Sequence, residues 1–62
     1  MTVHELNRDQ LTSVKQSMLC ERMDANGETP SYGELADVDE IISDEEVFRE
    51  YAGTEFSEDD FL

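Results

Sequence analysis

One local pattern recurs five times in this chain. It is a capping residue, two free positions, an acid or its amide, then an apolar residue. The copies are Thr2-x-x-Glu5-Leu6, Asn7-x-x-Gln10-Leu11, Ser31-x-x-Glu34-Leu35, Ser43-x-x-Glu46-Val47 and Ser57-x-x-Asp60-Phe61. In a capping box the first side chain accepts from a free backbone N–H of the new helix. The acid or amide three residues on reaches back to the N–H of the cap. The first four copies match that box, and the fifth carries the shorter Asp. Leu6/Leu11, Ile42/Val47 and Phe56/Phe61 add the apolar pair that staples a chain to its helix entry. No segment alternates long enough to read as a strand. The pattern predicts an all-α fold: one small single domain over residues 1–62, with three to four short helices and one longer N-terminal helix.

That longer helix is expected over about 8–25, with Gly27 near its left-handed stop. Leu11, Val14, Met18 and Ala25 fall on one stripe at helical spacing, with Leu19 and Met23 on its flank. Arg8, Lys15 and Arg22 are spaced by seven and share a stripe between the two apolar groups. There their stems can cover apolar surface while the charged heads reach carboxylates. The spacing predicts that they pair with the second half of the chain. A short helix or turn is expected at Tyr32 to Ala36, buried Ile41 and Ile42 after it, then a helix from Asp44 to Ala52 stopped by Gly53. Glu45 and Arg49 are placed to pair across one turn. The expected core is Leu11, Val14, Met18, Tyr32, Leu35, Ile42, Val47, Phe48 and Tyr51, with Phe56 and Phe61 pinning the tail.

Charge divides the chain at Asn26-Gly27. Residues 1–27 carry three bases against four acids, and residues 28–62 carry 13 acids against Arg49 alone, so nearly all of the net −13 lies in the second half. A surface of this sign repels nucleic acid and anionic membranes, so neither is an expected partner. Sixty-two residues give one core near the lower limit for independent folding. That is too little for the shaped pocket most enzymes need, so no enzyme activity and no small-molecule substrate are expected.

The individual chemistries are weak. A calcium loop starting at Asp37 would need Asp or Asn fifth and Gly sixth, where Ile41 and Ile42 stand. One started at Asp24 puts Leu35 in the last ligand position. His4 is the only histidine and lies outside any H-E-x-x-H. Cys20 is the only cysteine, so no intramolecular disulfide and no Cys-based zinc site are expected. There is no phosphate-cradling loop. No catalytic residue, cofactor or metal is assigned. The single cysteine, and the lack of a basic and apolar leader at the N-terminus, favour a reducing cytoplasm. The longest apolar run, Met18 to Cys20, is far short of the roughly 20 residues of a membrane span.

A basic partner is what remains. Rigid short helices can hold carboxylates in fixed positions, as phosphates are held on a duplex, and the field would steer a basic groove onto them. The first candidates for partner binding are Asp37, Asp39, Glu40, Glu50 and Glu55. The first-turn acids Glu45, Glu46, Glu58, Asp59 and Asp60 can serve both as helix caps and in the same face.

The segments Ser31-Tyr32-Gly33-Glu34-Leu35-Ala36-Asp37, Asp44-Glu45-Glu46-Val47-Phe48, Tyr51-Ala52-Gly53-Thr54-Glu55-Phe56 and Asp59-Asp60-Phe61 resemble short acidic proteins of bacterial phages and mobile elements. In size and charge the chain is also similar to anti-CRISPR proteins and other phage-encoded DNA mimics. That resemblance implies an inhibitor that binds the basic surface of a nucleic-acid-binding host-defence protein inside the bacterial cell. Two other readings stand beside it. One is a small antitoxin-like interaction module that binds one basic partner without mimicking DNA. The other is a protein whose charge serves solubility while an apolar patch carries function.

Overall fold

The computed structural model describes residues 1–61; Leu62 lies outside them. A 3-10 turn at Val3–Glu5 leads into α1, Arg8–Ala25. Then follow α2, Tyr32–Ala36; α3, Val38–Ile41; α4, Asp44–Glu50; and a closing 3-10 turn at Glu58–Phe61. No strand occurs among the described residues. The molecule is a small all-α globule, 31 × 22 × 19 Å, in which α3 and α4 lie against the long α1.

The capping signals act as the sequence predicts, with instructive variation. Asn7 and Gln10 form a complete box, each accepting from the other's backbone N–H at 2.9 Å. Ser31 and Glu34 do the same at 3.2 Å. At Ser43 only half the box forms: its Oγ accepts from the N–H of Glu46 at 3.2 Å. The Glu46 carboxylate turns instead to Arg22. Asp60, short as it is, accepts from the Ser57 N–H at 2.9 Å. Met1 and Phe56 tie the two ends together, the Phe56 N–H donating to the Met1 carbonyl at 2.7 Å.

Helix α1 ends where expected. The N–H of Gly27 donates to the Asp24 carbonyl at 2.9 Å and that of Glu28 to the Met23 carbonyl at 2.8 Å. These two bonds are the Schellman closure, and they require the left-handed φ of +74° at Gly27.

The core consists of Val3, Leu6, Leu11, Val14, Met18, Leu19, Val38, Ile42 and Val47. Leu35, Phe48, Tyr51, Phe56 and Phe61 are half-buried against it. Five expectations need correction. Tyr32 is 93% exposed: a five-residue helix offers one inward position, and Leu35 takes it. Ile41 is also exposed, because residues 38–41 form a turn of helix in which Val38 and Ile42, four apart, share the inward face. Ala25 is exposed at the end of α1. The fourth helix ends at Glu50 rather than Ala52, a difference of two residues at a frayed end. The Glu45–Arg49 pair does not form within 4.0 Å; such an exposed contact gains too little to hold two long side chains together.

The two glycines flanking α1 and inside α2 give opposite tests. A Cβ at Gly27 would meet nothing within 4 Å, so Gly27→Ala carries only the backbone penalty of about 1–2 kcal/mol. Gly33 has an ordinary helical backbone with its nearest neighbour at 4.0 Å, and Gly33→Ala should stabilise by about 0.5–1 kcal/mol. Urea unfolding of the two variants should move the midpoint in opposite directions.

Candidate functional site

The basic stripe of α1 is turned to carboxylates of the second half, with Lys15 buried and Arg8 and Arg22 at the surface. Lys15 is 1% exposed, and its Nζ donates to Asp39 of α3 at 3.0 Å and to Asp44 of α4 at 2.6 Å. Thr12, one turn earlier, donates to the same Asp39 carboxylate at 3.3 Å. Arg8 stands 3.8 Å from Asp44 at one end of the stripe, and Arg22 pairs with Glu46 at the other. The spacing of seven therefore does what the sequence predicts. Three bases on one helix face hold α3 and α4 against α1.

The central pair is the strongest of these. The Lys15 stem lies along the core while its ammonium meets two carboxylates that are 38% and 45% exposed. Those carboxylates keep part of their hydration, so the cost of burying charge falls almost wholly on Lys15. Burial pushes the Lys15 ammonium toward neutrality, but the hydrogen bonds to Asp44 and Asp39 outweigh it and raise its pKa. The hydrogen bond from Lys15 holds the Asp39 carboxyl below its ordinary range, against a smaller opposing effect of burial.

The predicted partner-binding acids fall into two sets. Asp39, Glu46 and Glu55 are engaged within the protein: Asp39 by Lys15 and Thr12, Glu46 by Arg22, and Glu55 by the Met1 ammonium at 2.7 Å. The Glu55 hydrogen bond raises the pKa of that ammonium. Asp60 lends one oxygen to the Ser57 N–H. Asp37, Glu40, Glu45, Glu50, Glu58 and Asp59 are exposed and have no ion pair among the described residues.

Two acids take on roles the sequence did not single out. Asp44, which the sequence marks only as the start of a helix, is the closest partner of the buried lysine. Glu21, in the near-neutral half, faces Glu50 across a hollow that Met18, Arg22 and Tyr51 also line. Burial and these two carboxylates raise the pKa of the Tyr51 hydroxyl.

The result is a surface of nearly one sign. Among the described residues, Arg8, Lys15 and Arg22 each have a carboxylate within 4.0 Å and Arg49 has none. Thirteen net charges on a molecule 31 Å long amount to one per about 2.4 Å of its longest axis. Duplex DNA carries one per roughly 1.7 Å. Among the described residues no group of three or more His, Cys, Asp or Glu is placed to hold a metal ion, and no helix is long and apolar enough to cross a membrane. Comparison with protein-family models, curated proteins and solved structures finds no match.

The triad's contribution to stability is bounded on both sides of neutrality. The share from Asp39 is present above the ordinary carboxyl pKa and is lost as pH falls through its lowered folded value. The share from Lys15 is present below the ordinary lysine pKa and is lost as pH rises through its raised folded value. Lys15→Met keeps the burial but removes the pairs, and should cost about 1–2 kcal/mol at pH 7, discounted for the exposed carboxylates. Urea titrations across pH should show the gap between wild type and variant widest near neutrality and closing at both extremes.

Proposed function

We propose that the protein is an acidic inhibitor that presents a DNA-like array of carboxylates to the basic surface of a nucleic-acid-binding host-defence protein, in the manner of an anti-CRISPR, inside the bacterial cell. One observation carries this reading. The chain carries a net charge of −13 on a molecule 31 Å long, a charge per unit length within about a factor of two of that of duplex DNA, while three of its four bases already stand against its own carboxylates, Lys15 fully buried. Solubility alone does not require so large an excess of one sign, since a net charge of about 2–8 suffices for a small domain. The exposed Asp37, Glu40, Glu45, Glu50, Glu58 and Asp59 are the contact residues. Asp39, Glu46, Glu55 and Asp60 contribute to the same field from engaged positions.

Binding in this mode requires no chemistry from the protein. Fixed carboxylates replace phosphates on the Lys and Arg side chains of the target and release the counterions held there. Association is fast and falls steeply with salt. Helix geometry matters because a disordered acidic chain would lose conformational entropy on binding, whereas these acids are already ordered.

A pull-down against CRISPR surveillance complexes and other DNA-binding defence nucleases tests the proposal, with duplex DNA as competitor. DNA should displace the protein, and Asp37→Asn/Glu40→Gln/Glu45→Gln/Glu50→Gln should weaken binding at least tenfold while leaving the helical circular dichroism spectrum unchanged. Binding that persists when DNA saturates the same groove would contradict mimicry and favour a module that recognises one basic partner by shape.

A further inference from the structure

An open hollow lies on the side of α1 that carries Ser13 and Ser17. Val14 lines it together with these serines; Tyr51, Phe56, Asp60 and Phe61 complete it. The rings form a continuous row, with centroids 5.5 Å apart between Tyr51 and Phe56 and 6.0 Å apart between Phe56 and Phe61. All three are half-buried, so each keeps part of its surface at the hollow. The volume is about 190 Å³, below the roughly 300 Å³ at which pockets for drug-sized ligands begin. It is the scale of one side chain.

We infer that this hollow is an anchor pocket for a single arginine side chain of the protein partner. Four properties of the site fix the chemistry of the occupant. Aromatic faces attract a cation, and a planar guanidinium stacks on them better than an ammonium does. Asp60 stands in the lining and gives only one of its oxygens to the Ser57 N–H, so the other can accept from the occupant. The hydroxyls of Ser13 and Ser17, one helical turn apart, are two further acceptors. The surrounding field is negative, with Glu21 and Glu50 close to the Tyr51 ring. A neutral apolar side chain would gain the rings but leave the second Asp60 oxygen to solvent and draw nothing from the field.

The inference deepens the proposed function and rests on it for the identity of the partner. A spread of exposed carboxylates gives rate and salt dependence more than affinity. Interfaces take most of their affinity from a few central aromatic and arginine contacts. A DNA-like surface with one aromatic pocket would add to the shared electrostatics a contact that DNA itself does not make.

The pocket can be tested without any partner. The isotope-labelled protein is titrated with N-acetyl-arginine-amide, and in parallel with the isosteric neutral N-acetyl-citrulline-amide and with N-acetyl-norleucine-amide. Arginine amide should perturb the resonances of Ser13, Ser17, Tyr51, Phe56 and Phe61 in a saturable manner. Citrulline and norleucine amides should bind at least fivefold more weakly, and Asp60→Asn should abolish the preference for arginine. Equal response to norleucine amide would make this an apolar site and overturn the inference. So would arginine shifts spread over Asp37, Glu40 and Glu45 with none in the hollow. A protein that is displaced from its target by DNA yet fails this titration loses only the pocket. One that takes arginine amide here but has no DNA-competed target loses only the mimicry.

Discussion

Burying a lysine is the constraint around which this small protein is arranged. An ammonium taken out of water without partners costs several kcal/mol, a large part of the stability that 62 residues can supply. Here the cost is met by two carboxylates from two different helices, each still wet on its outer side. The contact therefore works as a register device. Lys15 can be satisfied only if α3 delivers Asp39 and α4 delivers Asp44 to the middle of α1. Val38, Ile42 and Val47 are then carried into full burial against Leu11, Val14 and Met18.

The same arrangement determines what the outside of the molecule looks like. Arg8, Lys15 and Arg22 lie along one face of α1 and are turned toward acids of the second half. Little positive charge remains to offset the other carboxylates. Self-repulsion among them opposes compaction, and capping, stapling and the Lys15 contacts counter it locally. Glu46 illustrates the economy of the design. It gives up its half of a capping box to meet Arg22, while Ser43 alone caps α4. A fold that only needed stability would gain by spreading bases over its surface. This one does not, and that choice is the basis for reading the charge as functional.

Much of the fold was legible in the sequence because it is written in short-range signals. The capping boxes at Asn7 and Ser31 form in full, and α1 runs over the expected residues to the glycine that closes it. The heptad spacing of bases foretold their pairing with the acidic half. Less legible were Tyr32 and Ile41, which propensity and hydrophobicity assigned to the core. Helices of five and four residues have room for one or two inward side chains, and which ones turn inward depends on the tertiary docking of α2 and α3. The sites of the carboxylates were legible only in part. Sequence spacing along α3 and α4 does not say that Asp39 and Asp44 converge on one ammonium, nor that Glu21 of α1 meets Glu50 across a hollow.

The central claim is that a specific pair of acids, rather than acidity in general, organises the fold and leaves the remainder for the surface. Thermal unfolding of two variants with equal charge change tests it most directly. Asp39→Asn/Asp44→Asn strips Lys15 of both carboxylates, whereas Glu40→Gln/Glu50→Gln removes two exposed charges that have no ion pair. The first variant should melt lower than wild type by roughly 5–10 °C, on the scale expected for a domain of this size. The second should melt at the same temperature or higher, because repulsion is relieved. Equal shifts in the same direction for both variants would contradict the account and leave net charge as the only electrostatic term that matters.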